Sequence, residues 1–208
     1  MQISKQDRKS LFLEMMNFRH ACKLFDATKK VDEADLDYIL ECGRLSPSSI
    51  GMEQWKFVVI KNEETKQKLQ GACFNQPQVG TASVIVAILA KKSELDPEGA
   101  YVDKVLMRFG QETGNYYKSF YSQYAKGKDL TAWADAQCHI AGANMMDAAA
   151  FIGIDSCPMA GFDPKAVSEV LGFDRDKYEI SLVIPFGFRA KEAQPKLRLP
   201  KEELIATI

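Results

Sequence analysis

An α/β or α+β domain with more helix than strand is what this sequence predicts. Three apolar runs, 54–61, 82–90 and 178–188, have the length and β-branched content of strands. Longer stretches with helical periodicity or capping residues lie around them. At 208 residues, with 46% hydrophobic and 26% charged residues, the chain suits a single domain with a sizeable core.

Residues 5–17 carry a helical period. Asp32 can cap a second helix to about Arg44, because Asp35 lies three positions on and Leu36, Ile39 and Leu40 follow. Ser46-Pro47-Ser48-Ser49-Ile50-Gly51 is loop chemistry. QWKFVVIK at 54–61 reads as a strand, and Asn62 then starts a short helix through Glu63 and Glu64. ASVIVAILA at 82–90 reads as a second, centrally buried strand. Residues 96–126 are polar, aromatic and helical in character. Thr131 opens a long helix over 132–151, whose Ala141, Gly142, Ala143 and Ala148 to Ala150 allow close packing; Gly153-Ile154-Asp155 ends it. Asp163-Pro164 supplies the cap and first turn of a helix to Leu171. YEISLVIPFGF at 178–188 is the third strand. The chain thus divides into a body, residues 1–188, and a proline-containing C-terminal extension, 189–208.

Composition narrows the function. A net charge of −1 argues against a broad nucleic-acid or membrane-surface footprint. No apolar run has the length of a membrane span, and the N-terminus lacks the pattern of a secretory signal, so the cytoplasm is the expected compartment. Five scattered cysteines without a C-x-x-C pair read as reduced thiols. With only His20 and His139 as histidines, no metal site is expected. Dinucleotide fingerprints, phosphate loops, H-E-x-x-H and G-x-S-x-G are all absent. Cys138 adjoins His139, but neighbouring helix positions point about 100° apart, which keeps that pair from meeting. Hard chemistry therefore points to a borrowed cofactor.

Two short cationic segments remain. Arg19 and Lys23 are four apart and would share a face if the segment is helical; Lys196 and Arg198 are two apart between Pro195 and Pro200, and would project from one side of an extended backbone. Brought together, two such clips can hold a phosphate dianion, because Arg offers a planar donor fork and Lys a point charge.

Four motifs then occur in order: Arg19-His20-Ala21-Cys22-Lys23-Leu24-Phe25; Ser46-Pro47-Ser48-Ser49 leading to Trp55 and Phe57; Cys157-Pro158-Met159-Ala160-Gly161-Phe162; and Pro195-Lys196-Leu197-Arg198. Over about residues 15–200 the chain resembles the FMN-dependent nitroreductase family, in its oxygen-insensitive, NAD(P)H-using branch. The resemblance implies an α+β fold with a central, mainly antiparallel sheet among helices. It also implies an intertwined homodimer with FMN at the interface and the extension crossing onto the partner subunit. Arg19, His20, Ala21, Lys196 and Arg198 would hold the phosphate and ribityl chain, with alanine at position 21 where the family often has serine. Lys23 would lie near N1 and O2 of the ring. Asn75 and Gln78 would address the pyrimidine edge, Gln78 replacing a lysine of some relatives. Pro158, Met159, Ala160 and Gly161 would line the N5 and O4 edge, Ala160 replacing the glutamate of several relatives. Pro47, Ser48, Ser49 and Gly51 would come from the second subunit, in a loop ending Gly51-Met52-Glu53-Gln54-Trp55 instead of the common N-x-Q-P-W.

Among the aromatics at 116–124, the resemblance implies a gate over the substrate, with Phe120, Tyr121 and Tyr124 as candidates. The implied activity is ping-pong: NAD(P)H reduces the flavin, then a nitroaromatic, quinone or similar small-molecule acceptor takes two electrons. The alternative is a protein that stores, senses or remodels FMN without NAD(P)H turnover, since one fold hosts many chemistries.

Overall fold

A computed structural model describes residues 3–208. Helix α1 (Lys5–Phe18) begins at a Ser4 cap and buries only Met15. Helix α2 (Glu33–Arg44) is capped by Asp32, whose carboxylate accepts from Asp35 N at 2.8 Å. Strand β1 (Trp55–Ile60) follows, then α3 (Glu63–Ala72), capped by Asn62. That helix outruns its expected first turn because Leu69 and Ala72 find burial. A short α4 (Pro77–Thr81) leads to β2 (Val84–Lys91). The 96–126 stretch splits into α5 (Ala100–Leu106) and α6 (Gln111–Ala125), broken by a tight turn and by Gly110 at φ 90°. Helix α7 (Leu130–Phe151) starts one residue before Thr131. The Asp129 carboxylate caps it by accepting from the amides of Thr131 and Ala132, which draws Thr131 into the first turn. Two-residue β3 (Asp155–Ser156), α8 (Pro164–Leu171), β4 (Tyr178–Gly187) and α9 (Lys201–Leu204) complete the chain.

The sheet is antiparallel throughout, in the order β1-β2-β4-β3. Strand β2 is buried at all eight positions and divides the core in two. Its Val84, Val86, Ile88 and Ala90 face a layer built on α2, α5, α6 and α7. Its Ile85, Ala87 and Leu89 face a second layer containing α3, α8, Cys22, Cys157 and Met159. A bulge opposite Ile88 and Leu89 takes up Ser181, so Ile180 joins the second layer although Leu182 and Ile184 serve the first. Helix α7 comes within side-chain contact of the sheet at Gly142. A Cβ there would lie 2.8 Å from Leu182 Cδ1. Among the described residues, no helix is long and apolar enough to cross a membrane.

Candidate functional site

The segment after α1 runs beside β3. Ala21 forms a parallel bridge with Ser156, Cys22 N donates to Ser156 O at 3.0 Å, and Phe25 bridges Arg189. This extended backbone buries Cys22 and Phe25 while Ala21 and Lys23 face outward. Arg19 and Lys23 therefore do not share a helical face, since α1 ends at Phe18. Past β3, Met159 pairs with Val183 through two 3.0 Å hydrogen bonds, which fixes the 157–161 strip along the same edge. Lys23 Nζ reaches Cys157 Sγ at 3.5 Å. Gln76 Nε2 donates to Gly161 O at 2.9 Å, and Lys196 Nζ donates to Arg19 O. Residues from five distant parts of the chain thus meet at one sheet edge.

The exposed charges of this edge are mainly cationic, with Asp147 near enough to feel the charge of Arg19. Among the described residues, no carboxylate lies within ion-pair distance of Arg19, Lys23, Lys196 or Arg198. Partial burial, then the charges of Arg19 and Arg198, hold Lys196 below the usual lysine range. Beneath them, buried Asp155 accepts from Arg189 N at 2.8 Å and from Arg189 Nε at 3.1 Å, with Arg189 Nη2 2.6 Å from its other oxygen. The Arg189 guanidinium stacks on Phe18, 4.2 Å from the ring centre. His20 Nδ1 lies 3.4 Å from Asp155 Oδ1 without the alignment of a hydrogen bond, and is a buried nitrogen with no partner. Burial, followed by the Arg189 charge, lowers the His20 pKa; Asp155 opposes this. Ser156 Oγ is likewise buried without a partner. The amides of Ala160 and Gly161 make no hydrogen bond among the described residues, and a Cβ on Gly161 would meet only Gln76, at 3.9 Å. The edge thus offers cations, open backbone donors and unpaired polar atoms, a donor set suited to an anionic, oxygen-rich ligand.

Some expected positions fall elsewhere. Gln78 is buried, and its Nε2 donates to Gln76 Oε1 at 2.9 Å and contacts Met159 Sδ at 3.5 Å, so it supports the loop from below. Asn75 is exposed, and it and Phe74 both hold φ 56°, a left-handed pair uncommon outside glycine. Gln76 and Phe74 join the site from the same Phe74-Asn75-Gln76-Pro77-Gln78 run, where no charge or motif marks them.

Pro47, Ser48, Ser49 and Gly51 lie with the other core layer. Ser49 N donates to Gln137 Oε1 at 2.9 Å, Glu53 N donates to Ser48 Oγ at 2.9 Å, and Arg108 donates to Gly51 O. None of these bonds reaches the cationic edge, so the chain carries two separate parts of the expected set.

Tyr121 is a correction. It is fully buried, its hydroxyl donates to Leu95 O at 2.7 Å, and its ring stacks on Trp133. That makes it a core residue and not a gate: positions 117, 121 and 124 face inward at helical spacing, while Tyr116 and Phe120 share the outer face. Phe120 is exposed; Tyr124 is half-buried between Phe120 and Trp133, with Lys128 Nζ 3.6 Å above its ring.

Comparison with known proteins gives the fold a lineage. The model of the Nitroreductase family matches residues 16–188. A Staphylococcus haemolyticus protein named "Putative NAD(P)H nitroreductase" is 41% identical, covering 94% of this chain and 96% of its own. A Bacillus subtilis protein of the same description is 38% identical, covering 96% and 98%. Among solved structures, one from Exiguobacterium sibiricum, described as a "putative nitroreductase in complex with FMN", superposes with a TM-score of 0.81 at 25% identity, over 95% of this chain and 97% of that one. A nitroreductase-like protein from Streptococcus mutans gives a TM-score of 0.86 at 22% identity, over 96% and 99%, and so shares the fold. A family match across most of the body, with a relative 41% identical over nearly the whole chain, makes this protein a member of the nitroreductase family.

Proposed function

We propose that this chain is an FMN-dependent oxidoreductase that uses NAD(P)H to reduce nitroaromatics, quinones or similar electron-poor small molecules. The observation that carries the reading is the convergence of Arg19, Lys196 and Arg198 on one edge without a carboxylate among them. Mutually repelling cations held together favour an anionic ligand, and a phosphate dianion matches their donors. The unpaired His20 and Ser156 atoms and the open amides of Ala160 and Gly161 extend the fit from the phosphate toward a ring system.

In this reading Arg19, His20, Lys196 and Arg198 hold the phosphate and ribityl chain, and Ala21 leaves the backbone as the only donor at its position. Bound there, FMN would supply two-electron redox chemistry between a nicotinamide and an electron-poor acceptor. Lys23 would place a positive charge beside the pyrimidine side of the ring, and such preorganised charge would lower the energy of an electron-rich state. The open amides of Ala160 and Gly161 would do the same at the opposite edge, without the carboxylate that a glutamate at 160 would add. Asn75 keeps its side-chain amide for the pyrimidine edge, with Gln76 and Gln78 bracing the loop. Phe120 and Tyr124 are the aromatic candidates for contact with the acceptor.

The working unit we propose is a homodimer. Helix α1 leaves Phe12, Leu13 and Met16 exposed, and the extension exposes Leu197, Leu199 and Ile205. A groove lined by Phe12, Met15, Tyr38, Leu45 and Phe151 lies between α1, α2 and α7. Contiguous apolar surface of this kind marks an interface. The extension, 189–208, would carry its apolar residues onto the partner while Lys196 and Arg198 stay on their own chain's edge, and the 47–51 loop of one copy would complete the cationic edge of the other.

The test is the absorption spectrum of purified protein, repeated anaerobically after adding NADH or NADPH. A flavin spectrum that bleaches and then returns with nitroaromatic or quinone is expected. A flavin that neither nicotinamide bleaches would favour storage or sensing, and a colourless protein that refuses added FMN would overturn both.

A further inference from the structure

We infer that Cys157 is a positioning residue for Lys23: its Sγ accepts a hydrogen bond from the Lys23 ammonium and fixes that charge at the cofactor edge. This rests on the reading above that Lys23 faces bound FMN. The Nζ–Sγ distance is 3.5 Å, and Cys157 is the one side chain that Lys23 contacts by hydrogen bond or ion pair among the described residues. Lys23 is otherwise exposed at the end of a four-carbon stem, so without an anchor it would sample many rotamers. Cys157 provides a rigid anchor. It is fully buried, and its amide donates to Pro185 O at 3.1 Å, tying the residue to the sheet. Its sulfur also lies 4.0 Å from Pro158 O, so the S–H has an acceptor while a sulfur lone pair faces Lys23.

The choice of thiol has a chemical logic. A carboxylate at this point would hold the ammonium but cancel its charge toward the cofactor. An aliphatic side chain would leave the charge free to move. A neutral sulfur holds the ammonium and leaves its full charge available. Burial pushes the Cys157 thiol up, against the opposing pull of Lys23, which keeps it neutral near pH 7.

The experiment uses Cys157→Val, which fills similar space without an acceptor, and Cys157→Ser, which keeps one. The two-electron potential of bound FMN is measured by dye equilibration. Cys157→Val should lower the reduced-to-oxidised ratio at fixed potential about tenfold, or about 30 mV, while Cys157→Ser stays within about threefold of wild type. Equal potentials in wild type and Cys157→Val would overturn the proposal. A second readout needs no flavin: the Cys157 thiol is titrated by NMR in 13C-cysteine-labelled apoprotein, with and without Lys23→Met. Loss of the ammonium should make the thiol about tenfold weaker as an acid; an unchanged titration would show that the contact is absent and overturn the proposal even if Cys157→Val fails to fold. If the thiol responds but the protein binds no FMN, the functional reading fails and takes the positioning role with it, while the contact stands.

Discussion

Asp155→Ala should destabilise the apoprotein by about 3 kcal/mol. The carboxylate is 4% exposed and accepts from the Arg189 amide at 2.8 Å and from Arg189 Nε at 3.1 Å, with Nη2 2.6 Å from its second oxygen. Removing it leaves the Arg189 guanidinium, whose side chain is only 18% exposed, without a counter-charge. Breaking one side of a buried pair costs about 3–5 kcal/mol. Arg189 retains its stacking on Phe18 and a 3.4 Å bond to Phe18 O, which places the loss at the lower end. About 3 kcal/mol is a shift of roughly a hundredfold in the unfolding equilibrium. Guanidinium unfolding at one fixed protein concentration measures it, as a lower midpoint with an unchanged slope. Adding Arg189→Met should restore much of the loss, because the orphaned charge goes with it. A loss below about 1 kcal/mol, or no recovery in the double variant, would show that the network behaves as an ordinary surface pair.

Four further outcomes are expected. Gly142→Ala should lower stability by about 1–3 kcal/mol in the same assay, since its Cβ would lie 2.8 Å from Leu182 Cδ1 and 3.2 Å from Ile184 Cδ1. Tyr121→Phe should lower it by about 1–2 kcal/mol through loss of a buried hydrogen bond. If Tyr121 were a gate instead, acceptor kcat/KM would change and stability would not. For His20, the folded-state pKa lies below the ordinary value, so as pH falls through about 6.5 the unfolded chain takes up the proton first and stability declines. His20→Gln should remove that part of the slope between pH 7 and 5; an identical slope in both proteins would refute it. Arg198→Ala should weaken FMN retention at least tenfold in equilibrium dialysis, and the defect should narrow at high salt, where surface charges count for less.

Much of the frame was legible because its signals are local. Asp32, Asn62 and Asp163 cap where a short polar side chain precedes a helical period, and three apolar runs became the three long strands. Strand β3 was not legible: two residues carry no periodicity, and their pairing with Phe186 and Gly187 is decided by the fold. Tyr121 was misread because an aromatic run has two faces, and only the partner Trp133 says which one turns inward. The burial of Gln78 was not legible either, because it is set by Met159, 81 positions away. The Asp155–Arg189 network joins residues 34 apart, a spacing without a sequence signature. The cationic clips were visible as residue types and the resemblance implied their meeting, but spacing alone did not show it, nor the extended backbone that carries Lys23 to Cys157.

The bond from Lys196 to the Arg19 carbonyl joins positions 177 apart, nearly the two ends of the chain. Loop-closure entropy grows only with the logarithm of length, so such a contact is thermodynamically tolerable in a finished protein. Kinetically it belongs among the last to form, after the hairpin-like pairing of nearer elements has brought both ends to the same edge. The anion site proposed at this edge therefore needs both ends of the chain at once: a chain halted before position 196 has no lysine to bring to Arg19.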